Sequence, residues 1–178
     1  MNMKLHPFLS AKEIDRLNDQ LARRISSDYV KMPAPEEHLL VVVTLKGALL
    51  FAADLVRKLT IPVHVDFVRL ASYGSKTVSS GEVRFLKDIE SSPEGKHILV
   101  LDEIIDTGRT LDFLKKRLSA AGPKSLRICA LLSKPSRREI DVAVDYVGQE
   151  VEDKFLIGYG LDFDEKFRNL KDIQYIEQ

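Results

Sequence analysis

The sequence predicts an α/β protein built on an open, mostly parallel β-sheet that is flanked by helices. Runs such as HLLVVVTL and HILVLDEI are apolar at nearly every position, which is typical of strands that are covered on both faces of a parallel sheet. Helical patterns such as LLFAADLVRKL follow these runs, and strands that alternate with helices favour an open α/β fold. In such folds, ligands bind beyond the carboxyl ends of the strands.

The first predicted element is a helix after Ser10. The stretch from Ser10 to Glu13 has the pattern of a capping box, which satisfies the free N–H groups at the start of a helix. Apolar residues then recur on one helical face, at Ile14, Leu17, Leu21 and Ile25. The Pro33-Ala-Pro35 stretch ends this unit.

Strands and two further helices are predicted along the rest of the chain. HLLVVVTL leads through Lys46-Gly47 into the helix LLFAADLVRKL, and HILVLDEI leads through a short turn into the helix TLDFLKKRLSAAG, which Gly122 ends. The other predicted strands are HVDFVRL, EVRFL, SLRICALL, VAVDYVG and KFLIGYG. With 178 residues, the chain is expected to form one domain over residues 1–178.

Composition narrows the class of protein. Lys plus Arg and Asp plus Glu number 27 each, so the chain has no overall basic charge that would attract nucleic acid or an anionic membrane. No apolar run approaches the roughly 20 residues of a membrane span, and the N-terminus lacks the apolar core of a secretion signal. The single cysteine, Cys129, lies in an apolar run and is expected to be a buried structural thiol. A cytoplasmic protein is therefore expected.

Polar side chains lie at or just after the ends of three predicted strands. Asp102, Glu103 and Asp106 end HILVLDEI or follow it, Lys46-Gly47 follows HLLVVVTL, and Lys134 follows SLRICALL. Because the carboxyl ends of parallel strands meet at one edge of a sheet, we expect these residues to form a single site.

The turn Thr107-Gly108-Arg109-Thr110 leads directly into a helix, so backbone N–H groups and two hydroxyls converge. Such an arrangement suits a phosphate, although taken alone the turn is more typical of a plain strand-to-helix connection. Carboxylates beside it would repel a phosphate unless they face hydroxyls or a cation, and carboxylates bind sugar diols and Mg²⁺. Phosphoribosyl pyrophosphate has a terminal phosphate, a ribose diol and a pyrophosphate group that carries a metal, so it satisfies every part.

The stretch LVLDEIIDTGRTL resembles the binding motif of the type I phosphoribosyltransferase family. Over roughly residues 40 to 176, further stretches resemble the hypoxanthine-guanine branch of the purine phosphoribosyltransferases: TLKGALLFAADLVRKL, VDFVRLASYGSKTVSSGEV, ALLSK and KFLIGYGLDFDEKFRNL. The resemblance implies the type I fold, with a small hood formed by the N- and C-terminal segments and a flexible lid loop over about residues 71–81. It also implies purine salvage, in which hypoxanthine or guanine and phosphoribosyl pyrophosphate give IMP or GMP and pyrophosphate.

The resemblance assigns roles on the side of phosphoribosyl pyrophosphate. Asp102 and Glu103 would bind the ribose hydroxyls, although a glutamate in the second place departs from the usual order. Asp106 would be the catalytic residue near N7 of the purine, a general base and charge stabiliser. The turn formed by Asp106, Thr107, Gly108, Arg109 and Thr110 would wrap the 5′-phosphate. Lys46, Gly47 and Arg168 would bind pyrophosphate, the first two in a loop that often contains a non-proline cis peptide.

The resemblance also assigns the purine side, the metal and the lid. Lys134 would donate to the exocyclic oxygen of the base, Phe155 would stack on it, and Leu156 would contact it through its backbone. Mg²⁺ is the implied cofactor, with Asp162, Asp102 and Glu103 around it; Asp162 would hold it through bound waters at the purine side. Ser72 and Tyr73 would lie in the lid and approach pyrophosphate, whereas Asp164 and Glu165 are expected on a solvated face. A homodimer or homotetramer is implied.

Two other functions stay open. A regulator with this fold could bind RNA, and it would be expected to carry a basic face, which the balanced charge does not favour. An enzyme of the same fold could use a different base.

Overall fold

The structure, a computed structural model, describes residues 4–32, 39–75 and 78–177, and for residues 72–75 and 78–82 it describes the backbone alone. In chain order the elements are β1 (Leu5–Leu9), α1 (Ala11–Tyr29), β2 (Leu39–Leu45), α2 (Leu49–Lys58), β3 (His64–Ser75), β4 (Val78–Lys87), β5 (His97–Ile105), α3 (Arg109–Ser119), β6 (Ser125–Ser133), a 3₁₀ helix (Pro135–Arg137), β7 (Tyr146–Glu150), β8 (Phe155–Ile157) and β9 (Ile173–Ile176). None of the described helices is long and apolar enough to cross a membrane.

The main sheet has six strands in the order β4-β3-β2-β5-β6-β7. Strands β3, β2, β5, β6 and β7 are parallel, and β4 pairs antiparallel with β3 at one edge. The open, mostly parallel sheet predicted from the apolar runs is confirmed.

The side chains of alternate residues in the central strands are buried on opposite faces of the sheet, as the two-residue period of a strand requires. On one face, Val41 and Leu99 pack with α1 and α2. On the other face, Val42 and Val100 pack with α3. Both faces are therefore covered, which explains why these strands are apolar throughout.

The helix boundaries follow their local signals. Ser10 caps α1, and its side chain and that of Glu13 exchange bonds with the backbone in the predicted capping box. Gly122, with φ of 73°, lies just beyond α3 in the left-handed region that glycine adopts without strain. Pro33 and Pro35, which were predicted to end the first unit, lie outside the described residues.

A second, three-stranded antiparallel sheet has the order β1-β9-β8. It joins the two ends of the chain, since Leu5 of β1 lies opposite Ile176 of β9. This is the hood implied by the resemblance, although β1 and β9 have no individual signal in the sequence. Leu156 and Ile173 of this sheet bury in the same core as α1 and α2.

Several strands differ from their predicted extents. Within the segment 71–81, which was predicted to be a lid loop between two strands, backbone pairing continues to Ser75 of β3 and resumes at Val78 of β4. The predicted strand VAVDYVG starts only at Tyr146, and its first half lies outside the sheet.

Cys129 is fully buried, as expected, and burial raises the pKa of its thiol.

Candidate active site

The order of the strands places the predicted residues around one crevice. After β2 the chain continues to β3 on one side, whereas β5 lies on the other side of β2 and continues to β6. The strand order therefore reverses between β2 and β5, and ligands of open α/β sheets bind at such a point. Lys46 follows β2, Asp106 follows β5 and Lys134 follows β6, so the three predicted strand ends are adjacent.

A cavity of about 270 Å³ opens between the turns that follow β2 and β5. Its walls include Lys46 and Gly47 on one side and the segment 106–108 on the other, and Arg168 reaches it from the C-terminal part of the chain. A cis peptide bond joins Leu45 to Lys46, one residue before the Lys46-Gly47 bond. We call this space the phosphate-side cavity.

The turn after β5 presents the backbone N–H groups at the start of α3. Gly108 is the N-cap with φ of 84° and supplies no side-chain cap, and the first N–H groups of a helix have no intrahelical acceptor. The Arg109 N–H makes a long contact of 3.4 Å with the Thr107 hydroxyl. The loop after the 3₁₀ helix braces the turn, because Glu139 and Ile140 both donate backbone N–H groups to the Thr107 carbonyl, at 3.0 and 3.1 Å. The turn is therefore held in a form that suits an anion.

Asp102 and Glu103 form a carboxylate pair on the floor of this cavity. Thr44 donates its hydroxyl to Asp102 Oδ1 at 2.6 Å. Burial, together with the Asp102 charge beside it, raises the pKa of Glu103 well above its ordinary value. Burial also raises the pKa of Asp102, against its hydrogen bonds with Glu103 and Thr44. A cation or a set of hydroxyl donors in the cavity would favour the ionised pair.

The longer side chain of Glu103 fills a specific space. A Cβ built on Gly47 would overlap the Glu103 carboxylate, and a Cβ on Gly160 would overlap the Gly47 carbonyl. Gly160 has φ of 97°, a conformation that favours glycine. The backbones of Gly47 and Gly160 therefore stack without side chains between them, and the extra methylene of Glu103 brings its carboxylate against the turn after β2.

A second cavity, of about 540 Å³, lies beside the first and under the hood. Lys134 lines it and is only 8% exposed, although a lysine after a strand is usually solvated. Its Nζ atom lies 3.4 Å from Asp153 Oδ1. Phe155 on β8 also lines this cavity and is 40% exposed, so part of its ring is open to a ligand, while Leu156 is buried beside it. We call this space the base-side cavity.

Ile104 and Asp106 line both cavities. The Asp106 carboxylate accepts from Arg137 Nε at 3.1 Å, and the Asp106 carbonyl accepts from Arg138 at 3.3 Å. The predicted catalytic residue therefore lies where molecules bound in the two cavities would meet, and two arginines hold it in place.

Comparison with known proteins identifies the family. The model of the phosphoribosyl transferase domain matches residues 10–164. The chain belongs to the phosphoribosyltransferase family.

Within this family, the chain is similar to individual proteins over most of its length. The chain is 42% identical over 174 residues to the hypoxanthine-guanine phosphoribosyltransferase of Aquifex aeolicus, covering 98% of this chain and 96% of that protein. It is 44% identical over 134 residues to the hypoxanthine phosphoribosyltransferase of Haemophilus influenzae, covering 75% of each. A crystal structure of a hypoxanthine-guanine phosphoribosyltransferase from Bacillus anthracis superposes with a TM-score of 0.90 at 38% identity, over 99% of this chain and 100% of that chain.

Some predicted residues of this phosphoribosyltransferase lie away from the cavity walls. The Arg109 side chain points to Glu139, with its Nε atom 2.6 Å from the carboxylate, so only its backbone belongs to the turn. Asp162 lines neither cavity; it lies 2.8 Å from Arg168 and accepts the backbone N–H of Glu165 at 2.9 Å. The side chains of Ser72 and Tyr73 lie outside the described residues.

Four residues of the site were not predicted. Thr44, Arg137 and Asp153 contact Asp102, Asp106 and Lys134 respectively. Glu165 is exposed, as expected, but it also lies 2.6 Å from Lys46. Thr44 could have been found, because it is the one polar residue in the apolar run LLVVVTL. The others have no signal in the sequence, since their roles depend on contacts between distant segments.

Proposed function

We propose that this phosphoribosyltransferase transfers the 5-phosphoribosyl group from phosphoribosyl pyrophosphate to N9 of hypoxanthine or guanine, giving IMP or GMP and pyrophosphate. One observation carries the proposal: a cavity suited to an anionic sugar phosphate and a cavity suited to an oxopurine share Ile104 and Asp106. The names of the relatives support the choice of bases.

In the phosphate-side cavity, the segment 107–110 would hold the 5′-phosphate through its backbone N–H groups. Asp102 and Glu103 would accept hydrogen bonds from the ribose diol, and charge-assisted bonds of this kind are about twice as strong as neutral ones. Lys46, with Arg168, would neutralise the pyrophosphate group.

The carboxylate pair fits a magnesium ion delivered with the substrate. Among the residues that the structure describes, no group of three or more His, Cys, Asp or Glu side chains could hold a metal alone, and Mg²⁺ is usually bound by one or two carboxylates together with substrate phosphates. Asp102 and Glu103 supply hard oxygen donors whose buried charge a cation would offset. Asp162 would contribute through water, because Arg168 and a backbone N–H already engage its oxygens. When bound, Mg²⁺ stabilises the negative charge of the departing pyrophosphate.

In the base-side cavity, Lys134 would donate to the 6-oxo group and Phe155 would stack on the ring, with Leu156 contacting the base through its backbone. Lysine carries only donors, so the 6-amino group of adenine would meet it donor to donor. The cavity is therefore matched to hypoxanthine and guanine.

Asp106 would act where the new bond forms. The bond from ribose C1 to the pyrophosphate oxygen breaks as the bond from C1 to purine N9 forms, and the base gives up one proton. Asp106 would accept that proton on the N7 side and stabilise the positive charge that develops on the sugar and base. Arg137 holds the carboxylate at the shared wall of the cavities.

A panel of free bases tests this function. With phosphoribosyl pyrophosphate and Mg²⁺ present, we expect steady-state turnover of hypoxanthine and guanine and none of adenine or orotate. The same assay with xanthine would show whether the enzyme also accepts that base. Robust turnover of adenine would contradict the role of Lys134. Lack of turnover with every base, together with tight RNA binding, would favour a regulator instead.

Three expectations from the sequence complete the proposal. Residues 71–81, with Ser72 and Tyr73, would close over bound substrate and exclude water, which hydrogen exchange with and without ligands would detect. The enzyme would be a homodimer or homotetramer, to be tested by sedimentation. It would act in the cytoplasm on small molecules, without a nucleic acid or membrane partner.

A further inference from the structure

Glu165 bridges the two cations of the phosphate-side cavity. Its Oε2 atom lies 2.6 Å from Lys46 Nζ and 3.5 Å from Arg168 Nη2. Arg168 in turn lies 2.8 Å from Asp162. The result is a chain of alternating charges, Lys46-Glu165-Arg168-Asp162, whose two cations line the cavity. The hydrogen bond to Lys46 lowers the pKa of Glu165, with the charge of Arg168 acting in the same direction.

The backbone presents Glu165 in a particular way. Phe163 and Lys166 pair across a tight turn, and the two residues between them, Asp164 and Glu165, have φ of 52° and 62°. Glycine or asparagine is usual at such positions, so this turn carries two acidic side chains at a conformational cost. Its backbone is tied back where the Glu165 N–H donates to Asp162 at 2.9 Å.

Arg168 is not fully satisfied by this arrangement. One nitrogen donates to the Gly160 carbonyl at 2.7 Å, but its buried Nε atom has no hydrogen-bond partner among the described residues. A buried donor without an acceptor is costly. Its Nη2 atom lies 2.8 Å from Asp162 and 3.5 Å from Glu165, so the contact with Glu165 is the longer of the two and is the one that an anionic ligand could replace.

We infer that Glu165 is an internal competitor of pyrophosphate: its carboxylate holds Lys46 and Arg168 when the cavity is empty, leaves when the pyrophosphate group binds, and returns as that group departs. The inference rests on the proposed function and adds a positioning residue to it. Glu165 does not touch the reacting atoms; it acts through the two cations.

Pyrophosphate can displace the Glu165 carboxylate from the two cations because Glu165 is held only weakly. Its side chain is 62% exposed, and ion pairs at exposed positions contribute little because water and salt screen them. A pyrophosphate group carries more charge than one carboxylate and would repel Glu165 from the shared cations. The carboxylate can then turn into solvent while its backbone stays in the turn.

Calorimetric binding of magnesium pyrophosphate to the full chain tests the inference, with Glu165→Gln as the variant. Glutamine keeps the shape and removes the charge, so we expect pyrophosphate to bind about two- to fivefold more tightly. It should also inhibit the forward reaction correspondingly better, while the KM for hypoxanthine stays unchanged. The gain should shrink at high salt.

The matched control is Asp164→Asn, in the same turn. Asp164 lies 3.5 Å from the exposed Lys166 and does not line the cavity, and this variant changes the net charge equally. If Glu165→Gln and Asp164→Asn bind pyrophosphate alike, or if Glu165→Gln binds it more weakly than the wild type, the competitor role is overturned while the enzyme assignment stands. A wild type that binds no pyrophosphate and converts no base would overturn the proposed function and this inference with it.

Discussion

The two cavities are built from different kinds of contact. The phosphate-side cavity is formed by two strand-to-helix turns, each a few residues long, and by a carboxylate pair at the end of one strand. The base-side cavity is formed by side chains from separate segments, with Lys134 after β6, Arg137 in the 3₁₀ helix and Phe155 in the hood. The first site therefore combines the backbone donors of its turns with charged side chains, whereas the second depends on side chains from separate segments.

This difference predicts how each cavity responds to substitution. On the base side, a single buried lysine supplies the donor that distinguishes oxopurines, so removing one side chain should change specificity. On the phosphate side, backbone N–H groups remain after most substitutions, and the sensitive positions should be the glycines and acids that set the packing. Four predictions, in order of expected effect, test this contrast.

The largest effect is expected for Lys134→Met. A site built on a buried hydrogen bond rejects a mismatched partner by about 10⁴–10⁵-fold, so kcat/KM for hypoxanthine and guanine should fall by about 10⁴-fold, with binding of phosphoribosyl pyrophosphate retained. Adenine should not be gained, because methionine offers its amino group no good acceptor. Lys154→Met is the control, since Lys154 lines the same cavity but pairs with Glu152 at 3.0 Å. Equal losses in both variants would contradict the role of Lys134.

Asp106→Asn tests the wall that the cavities share. The substitution keeps the shape and removes the base, so kcat should fall by about 10²–10⁴-fold, while the Kd of phosphoribosyl pyrophosphate changes little. Single-turnover kinetics separates the chemical step from binding. Unchanged chemistry would mean that Asp106 serves only to anchor Arg137.

Gly47→Ala tests the backbone packing of the phosphate side. The new Cβ would overlap the Glu103 carboxylate, and overpacking of this kind typically costs about 1–3 kcal/mol. We expect this loss in the free energy of unfolding and weaker binding of phosphoribosyl pyrophosphate. Glu103→Asp withdraws the carboxylate by one methylene, so the double variant should recover part of the loss. Additive effects in this double-mutant cycle would mean that the two residues do not compete for space.

The elements that could be predicted from the sequence are those that local patterns determine. The continuous apolar runs indicated the parallel strands, and Ser10 with Glu13 indicated the start of α1. The turn after β5 was predicted to lead directly into a helix, and Gly108 is the N-cap of α3 there; its role as an anion site stays a prediction.

The features that could not be predicted depend on a distant partner. β1 and β9 pair across almost the whole chain, and neither short strand has a distinctive pattern. Glu165 is exposed, as predicted, but its contact with Lys46 could not be predicted, because Lys46 is 119 positions away in the sequence. Arg109 was assigned to the anion turn by its position, yet its side chain pairs with Glu139.

The smallest effect is expected for the contribution of Glu103 to the pH dependence of stability, measured without metal or substrate. Burial and the Asp102 charge raise the pKa of Glu103 in the folded protein, so the folded state keeps a proton that the unfolded state releases near the ordinary glutamate pKa. The stability associated with this proton is present below the unfolded pKa and is lost as pH rises through the folded pKa. Glu103→Gln cannot ionise, so its unfolding midpoint in urea should fall less than that of the wild type between about pH 5 and about pH 8.

The control for this pH dependence is Glu13→Gln, which has the opposite sign. Hydrogen bonds with Ser10 lower the pKa of Glu13, so the contribution of that carboxylate is present above its unfolded pKa and is lost as pH falls.

Replacing Glu103 by glutamine should also weaken binding of phosphoribosyl pyrophosphate, since the diol loses a charged acceptor, whereas Glu103→Asp should be tolerated. If Glu103→Gln keeps the wild-type pH slope and the wild-type affinity, Glu103 faces neither the sugar nor the Asp102 charge, and Asp102 is the carboxylate that binds the diol.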